Sequence, residues 1–131
     1  MNGMIENRFV LDTNAIIFLT TRGNVIPSAL ENALNEATLF TSVISEIELF
    51  SKPALPPDEE ENLRSFLSER IIINLTNEIK KETIALRRST RLKLPDGIVA
   101  ATSIVLDAPL LTDDKALLNL SWPGFHAQNI F

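Results

Sequence analysis

The chain has 131 residues, 45% of them hydrophobic, with 12 Lys and Arg against 17 Asp and Glu, one His and no Cys. A chain of this length can bury roughly 65–70% of its unfolded surface, so we expect one domain over residues 1–131. The lack of cysteine excludes disulfide scaffolds, thiolate zinc sites and cysteine nucleophiles. The net charge of −5 disfavours a general nucleic-acid coat but is compatible with an acidic site that holds cations.

No segment has the features of a membrane span or an export signal. The longest apolar stretch, residues 97–106, contains Thr102 and Ser103 and is shorter than the roughly 20 residues that a span needs. The first seven residues lack the basic start and apolar centre of a secretion signal. We therefore expect a cytoplasmic protein that does not bind membranes.

Strands and helices alternate along the sequence. The predicted strands are residues 8–11, 38–43, 71–75 and 109–112, which are short and rich in bulky or β-branched side chains. The predicted helices run from Pro27 to Ala37, from Ser45 onward with Ile47 and Phe50 on the apolar side, from Asp58 to about Arg70, from a cap at Asn77 to about Arg91, and from Asp96 behind Pro95. This alternation predicts an α/β fold with a parallel sheet covered by helices on both faces.

Acidic residues stand next to the ends of these strands. They are Asp12 after the first strand, Glu46 and Glu48 after the second, Asp96 at the start of the last predicted helix, and Asp113 and Asp114 after the last strand. Each of them alone is explained by helix capping or the helix dipole. Ligands of parallel sheets bind beyond the carboxyl ends of the strands, so these acids are in a position to converge there.

Convergence would carry a chemical consequence. Carboxylates about 4 Å apart repel by about 4 kcal/mol per pair at an effective dielectric constant near 20. Either some of them take up protons or a divalent cation neutralises them. Oxygen ligands without His or Cys favour Mg²⁺ or Mn²⁺, and phosphodiester hydrolysis is the chemistry that such a site suits.

Four segments resemble the motifs of PIN-domain ribonucleases, and most closely those of VapC-type toxins. They are Phe9-Val10-Leu11-Asp12-Thr13-Asn14, residues 42–49, residues 94–102 and Leu111-Thr112-Asp113-Asp114-Lys115. They follow the order and the approximate spacings of that family and extend over nearly the whole chain. The resemblance implies a three-layer α/β/α sandwich around a mainly parallel sheet of about five strands.

The resemblance also implies the site residues. Asp12, Glu48, Asp96 and Asp114 would be the catalytic acids and the ligands of Mg²⁺ or Mn²⁺, with Thr13, Asn14 and Thr112 supporting them. Glu46 and Asp113 are possible additional ligands. Two residues along a helix are rotated by about 200°, so Glu46 and Glu48 cannot both point into one site. Thr13 and Asn14 are alternatively caps of the following helix.

Metal-assisted hydrolysis of RNA needs no protein nucleophile, which suits a chain whose one histidine, His126, is expected at the surface or a strand edge. Positive charge near the acids would offset their repulsion of RNA. The candidates for RNA contact are Arg87, Arg88, Arg91, Lys93 and Lys115, although a basic helix end is also typical of a solvated face. We expect Trp122 and Phe125 to pack on the core rather than stack on bases.

Partners enter only through the resemblance. It implies a homodimer and a small VapB-like antitoxin that binds the operon DNA together with the toxin. Leu49, Phe50 and Leu55 are apolar candidates for antitoxin docking, with core packing as the alternative for the first two.

Other α/β enzymes are disfavoured by single residues. A haloacid-dehalogenase phosphatase needs an Asp where Asn14 stands, and a receiver domain needs a phosphoacceptor after the third strand, where Asn74 stands. The remaining alternative is a catalytically silent PIN-like module that binds RNA or protein. That alternative predicts an incomplete set of acids, whereas all four are present.

Overall fold

The structure is a computed structural model that describes residues 7–21 and 23–130. The first six residues, on which the prediction of no export signal depends, lie outside this part. The described elements are β1 (Arg8–Leu11), α1 (Thr13–Thr20), α2 (Ser28–Glu36), β2 (Thr38–Ser42), α3 (Val43–Phe50), α4 (Pro57–Ser68), β3 (Ile71–Ile73), α5 (Asn77–Ser89), α6 (Leu94–Leu106), β4 (Leu110–Thr112), α7 (Lys115–Leu118) and β5 (Ala127–Asn129). Among them, no helix combines the length and apolarity that crossing a bilayer requires.

All five strands of the described sheet are parallel, in the order β3-β2-β1-β4-β5. β1 is central, and Phe9, Val10 and Leu11 on it are all buried. A strand that is covered on both faces has no solvent side, which explains its uninterrupted apolar sequence. The predicted parallel sheet is confirmed.

Two hydrophobic cores lie on opposite faces of this sheet. Val10, Phe40 and Leu110 belong to the core beneath α5 and α6. Their neighbours Phe9 and Leu39 belong instead to the core beneath α1, α2 and α4, together with Leu11 and Leu111. Successive side chains of a strand point to opposite faces, so each central strand contributes to both cores. The result is the expected three-layer α/β/α arrangement.

Several element boundaries differ from the sequence prediction. β2 ends at Ser42 and β3 ends at Ile73, and both are shorter than expected. α6 begins at Leu94 and contains Pro95 in its first turn, where the missing N–H of proline costs nothing. Thr76, and not Asn77, caps α5, because its hydroxyl accepts the Ile79 N–H at 3.2 Å.

The apolar side of α3 is also different. Ser45 and Leu49 are its buried residues, whereas Ile47 is 54% exposed. The prediction that Ile47 faces the core is therefore wrong, and Phe50 is half-buried.

The C-terminal part contains two elements that the sequence did not reveal, α7 and the edge strand β5. Phe125 is buried in the core beneath α6, and Trp122 packs partly against the same core. The Trp122 Nε1–H donates to Glu82 at 3.0 Å. His126 is exposed just before β5. The expectations for these three residues are confirmed.

Candidate active site

The acidic residues stand at the carboxyl edge of the sheet. β1 and β4 lie side by side and end at Leu11 and Thr112, so the residues that follow them emerge together. Asp12 and Asp114 are the N-caps of α1 and α7, and their carboxylates accept backbone N–H groups there. Asp96 lies in the first turn of α6. Helix capping and convergence at one edge therefore occur together in this site.

Asp12 is the most deeply buried of these acids, with 5% of its surface exposed. Its Oδ2 accepts the Thr112 hydroxyl at 2.7 Å, and its Oδ1 accepts the Thr13 N–H at 2.8 Å. Burial raises the pKa of Asp12, and the nearby charges of Asp114 and Glu48 raise it further, while both hydrogen bonds lower it. Desolvation thus outweighs two bonds that favour the ionised carboxylate.

Asp96 is half-buried and feels the same charges. The pKa of Asp96 is raised to about 6, mainly by burial and further by the charges of Asp114, Asp12 and Glu48, while Lys93 opposes the rise. The acids that the sequence singled out therefore interact electrostatically across one region of the sheet edge.

Two threonine hydroxyls connect the acids. The Thr13 hydroxyl donates to Glu48 Oε1 at 2.9 Å, while the Thr13 N–H binds Asp12. The Thr112 hydroxyl donates to Asp12 and accepts the Asp114 N–H at 3.0 Å. Each threonine thus links two carboxylate-bearing residues from different segments. The sequence indicated Thr112 through its position in the motif, but the contact between Thr13 and Glu48 had no sequence signal.

Three further residues that the sequence suggested, Asn14, Glu46 and Asp113, make no side-chain hydrogen bond to the four acids in the described part of the chain. Neither Glu46 nor Asp113 is among the charges that raise the pKa of Asp12 and Asp96. Asp113 Oδ1 is buried and has no hydrogen-bond partner in the described part of the chain. Asn14 is exposed and makes no hydrogen bond to Asp12 among the described residues. The cap of α1 is Asp12 itself, so the alternative that Thr13 or Asn14 caps this helix is wrong.

The donor set fits a hard divalent cation. The Asp96 carboxylate accepts no hydrogen bond within the described residues, and Asp114 has one oxygen free of its capping bonds. Among the described residues, no group of three His, Cys, Asp or Glu side chains lies in a position to hold one metal ion. Mg²⁺ commonly binds through one or two carboxylates and keeps several waters, so a cluster of three is not required. Burial is the main cause of the raised pKa values of Asp12 and Asp96, and a cation would stabilise both ionised carboxylates and relieve the repulsion that adds to these shifts.

The basic residues that the sequence singled out lie close to the acids along the chain, and Lys93 also acts on the charge of Asp96. Arg87 and Arg88 are in the last turn of α5, Arg91 and Lys93 follow in the loop to α6, and all four are exposed. Lys115 is exposed at the start of α7. The ion pairs within residues 7–21 and 23–130 are Lys52 with Glu59 and Arg64 with Glu60, so none of these cations is paired there.

A groove of about 450 Å³ opens between α1, α3 and α4 and reaches the acidic edge at Thr13 and Glu48. Leu55 lines it, as does Ile17, which is 47% exposed and lies one turn after Thr13. Leu49 also borders the groove but is only 5% exposed, so the core packing that was its alternative is correct. The groove also contains the charged residues Lys52, Asp58 and Glu59.

This geometry defines a class of protein, namely a parallel α/β/α sandwich with interacting carboxylates at the carboxyl edge of its sheet. A model of the PIN domain matches residues 9–123, and the chain belongs to the PIN domain family. No curated protein sequence gives a significant match.

Solved structures give the same fold. VapBC2 from Rickettsia felis, bound to a promoter DNA fragment, is 22% identical over 93% of this chain and 98% of that chain, with a TM-score of 0.77. DNA-bound VapBC from Salmonella typhimurium is 20% identical over 95% and 98%, with a TM-score of 0.74. A toxin–antitoxin complex from Klebsiella pneumoniae is 28% identical over 88% and 93%, with a TM-score of 0.67. The predicted resemblance to PIN domains of the VapC type is confirmed in the fold.

Proposed function

We propose that the protein is a single-domain, divalent-metal-dependent endoribonuclease of the cytoplasm and the toxin of a toxin–antitoxin pair. The observation that carries the proposal is the interaction among Asp12, Glu48, Asp96 and Asp114, which come from separate segments and are connected by the hydroxyls of Thr13 and Thr112. Within residues 7–21 and 23–130, no ion pair with a cationic side chain neutralises them. Repulsion between these carboxylates costs free energy unless a cation bound at the site neutralises it. Phosphodiester hydrolysis is the reaction that a hard cation at an acidic edge supports.

Asp12, Glu48, Asp96 and Asp114 would hold the cation together, with one or two of them as direct ligands and the others acting through its bound waters. The bound cation would supply an activated water and neutralise charge on the phosphate. Thr112 and Thr13 orient Asp12 through hydrogen bonds that favour its ionised form. Asp96, with a pKa raised to about 6, is mostly ionised at neutral pH and available as a ligand. The exposed cations of the α5–α6 loop and Lys115 offset repulsion between the acids and the RNA.

The toxin assignment is supported by the fold of the matched chains, whose complexes are described as VapBC or toxin–antitoxin assemblies. We propose a VapB-like antitoxin as partner, docked in the groove between α1, α3 and α4. The apolar side chains of Ile17 and Leu55 and the acids Asp58 and Glu59 suit a segment that carries both apolar and basic residues. A homodimer is part of the same proposal, and light scattering of the purified protein tests it.

A catalytically silent PIN-like module is the second candidate. The observation in its favour is that no three acidic side chains of the described residues are placed to hold one ion together. Such a module would bind RNA or protein without cutting it.

Cleavage of labelled single-stranded RNA by the purified protein separates the two candidates. We expect cutting with Mg²⁺ or Mn²⁺, no cutting after EDTA is added, and loss of cutting in Asp12→Asn and Asp96→Asn proteins that remain folded. Activity that both substitutions leave unchanged would reject the site. Binding of RNA without any cleavage, in Mg²⁺ and in Mn²⁺, would favour the silent module.

A further inference from the structure

The end of α5 and the loop that follows it form the most basic part of the molecule. Residues 80–93 contain six of the 12 Lys and Arg, namely Lys80, Lys81, Arg87, Arg88, Arg91 and Lys93. The one acid in this stretch, Glu82, accepts a hydrogen bond from Trp122. In the described part of the chain no ion pair neutralises any of these cations.

Arg87 differs from the others because its side chain is held in place. Its Nε–H donates to the Leu92 carbonyl at 3.3 Å. Its aliphatic stem crosses Gly97, where a Cβ atom would lie only 3.2 Å from Arg87 Cγ. Gly97 directly follows Asp96 in α6, and its missing side chain allows the stem of Arg87 to lie across the first turn of this helix. Arg87 is nonetheless exposed, so its terminal amino groups are open to a ligand.

The loop whose Leu92 carbonyl binds Arg87 is held in place by contacts of its own. Leu92 is 8% exposed and packs in the core beneath α6, and its N–H donates to the Thr90 hydroxyl at 3.3 Å. The same hydroxyl donates to the Leu86 carbonyl at 2.7 Å. A cation on such a support loses little conformational entropy when it binds an anion.

Arg88 provides the internal contrast. It is exposed, it follows Arg87 on the same helix, and it is rotated by about 100° around the helix axis. No hydrogen bond or ion pair fixes its side chain among the described residues. The two arginines therefore share charge and exposure but differ in anchoring and in the direction that they face.

The anchored arginine lies on the side of the site where positive charge already reaches the acids. Lys93 is close enough to Asp96 to oppose the rise of its pKa. The carboxylates repel an RNA strand that passes over them. Cations that bind the neighbouring phosphates therefore contribute most to its affinity. Lys93 lies in the loop before α6, and Arg87 at the end of α5 is bound to this loop through the Leu92 carbonyl.

We infer that Arg87 binds an RNA phosphate next to the cleaved one, that Gly97 and the Leu92 carbonyl fix its position, and that Arg88 has no such role. The inference rests on the proposed ribonuclease function and adds to it the direction in which the single strand leaves the site, across the α5–α6 loop.

Binding of single-stranded RNA tests this inference separately from cleavage. The probe is a fluorescently labelled strand of about ten nucleotides. Its anisotropy is measured in Mg²⁺ with Asp96→Asn protein, so that the strand remains intact. The Asp96→Asn substitution is tested alone and in combination with Arg87→Ala, Arg87→Lys or Arg88→Ala. We expect Arg87→Ala to raise Kd about tenfold and to lower the slope of log Kd against log salt by about one. Arg87→Lys should recover part of the loss, and Arg88→Ala should change Kd by less than about twofold.

Gly97→Ala tests the positioning. Its new methyl group should displace the Arg87 stem and weaken RNA binding by about threefold, with no further loss when Arg87 is already Ala. Thermal unfolding of each variant checks that the fold is retained.

Equal Kd values for the Arg87→Ala and Arg88→Ala proteins would overturn the inference and leave the proposed ribonuclease function standing. An Arg87→Ala loss of the same size for a DNA duplex of equal length would indicate a general polyanion surface and would also overturn it. No binding of RNA by any variant, with no cleavage by the unmodified protein, would overturn both.

Discussion

Two groups of acidic residues stand at helix N-termini in this molecule, and they differ in their surroundings. In the first turn of α4, Glu59 pairs with Lys52 at 3.5 Å and Glu60 pairs with Arg64 at 2.6 Å, on the protein surface. At the sheet edge, Asp12 is buried and Asp96 is half-buried, and burial raises the pKa of both, with a further contribution from acidic neighbours.

The difference shows that position at a helix start does not by itself mark a functional acid. The α4 acids favour the helix dipole and are neutralised by nearby cations. The edge acids retain repulsion that the fold does not relieve. Four predictions test this contrast, in order of decreasing effect.

The largest expected effect is on RNA cleavage. Asp12→Asn and Asp96→Asn should each lower kcat/KM by more than about 100-fold. Loss of a direct metal ligand reduces activity more than loss of a residue that only orients such a ligand. Glu60→Gln, the matched control from α4, should change kcat/KM by less than about twofold. Equal losses in all three proteins, measured on the same labelled RNA, would remove the distinction between the two groups.

The second prediction concerns the hydroxyl that joins Asp12 to Asp114. Thr112→Val removes the donor to Asp12 and the acceptor of the Asp114 N–H, so we expect a loss of about 1–2 kcal/mol in the free energy of unfolding. We also expect activity to fall about 10–100-fold. Urea unfolding and cleavage kinetics measure the two effects.

Thr41→Val is the control for this substitution. Thr41 is fully buried in β2, and its hydroxyl has no hydrogen-bond partner in the described part of the chain. Replacement by an isosteric methyl group should leave stability unchanged or increase it by up to about 1 kcal/mol. A larger loss for Thr41→Val than for Thr112→Val would contradict the role given to the Thr112 hydroxyl.

The third prediction is a pH dependence of stability in metal-free buffer. The pKa of Asp96 is raised from 3.8 to about 6, so the folded protein binds more protons than the unfolded chain between these values. The free energy of unfolding therefore falls as pH rises from about 4 to 6, and the loss is complete above the folded pKa. Allowing for solvent screening at this half-buried carboxylate, the loss is about 1 kcal/mol.

Asp96→Asn should remove the part of this loss that comes from Asp96 and leave the part that comes from Asp12, whose pKa is also raised. The variant should be more stable than the unmodified protein at pH 7 and equal to it near pH 4, as measured by urea unfolding at several pH values. Addition of Mg²⁺ or Mn²⁺ should stabilise the unmodified protein and reduce the difference. A variant that is less stable at pH 7 would show that Asp96 is not under repulsion.

The smallest expected effect is at the surface pair in α4. Glu60→Gln should lower the free energy of unfolding by about 0.3–0.5 kcal/mol, because exposed pairs four residues apart on a helix contribute little. High salt should abolish the difference. A loss above 1 kcal/mol would mean that the α4 acids are more than a solvated, paired surface.

The sheet and its cores were largely predictable because burial leaves a mark on the sequence. β1 is covered on both faces and reads as an uninterrupted apolar run. β5 is different, since its residues Gln128 and Asn129 are polar and exposed, and it is a strand through backbone pairing with β4. Such pairing has no local signature in side-chain polarity.

The site was predictable where position in the chain determines position in space. Acids that directly follow parallel strands emerge at one edge, which singled out Asp12, Asp113 and Asp114, and the family resemblance then selected Asp114 from the adjacent pair. The orientation of α3 was not fixed in this way, because it has apolar residues on several sides and Ile47 and Leu49 were equally suited to burial. The contacts of Thr13 with Glu48 and of Arg87 with Gly97 depend on packing between segments that no local pattern encodes.

Direct measurement of metal binding tests the central claim most sharply. Titration of Mn²⁺ at pH 7, with free Mn²⁺ followed by its paramagnetic resonance signal, compares the unmodified protein with Asp12→Asn, Asp96→Asn and Glu60→Gln. We expect saturable binding in the unmodified and Glu60→Gln proteins and strongly weakened binding in the two edge variants. Equal Mn²⁺ binding by all four proteins would contradict the central claim.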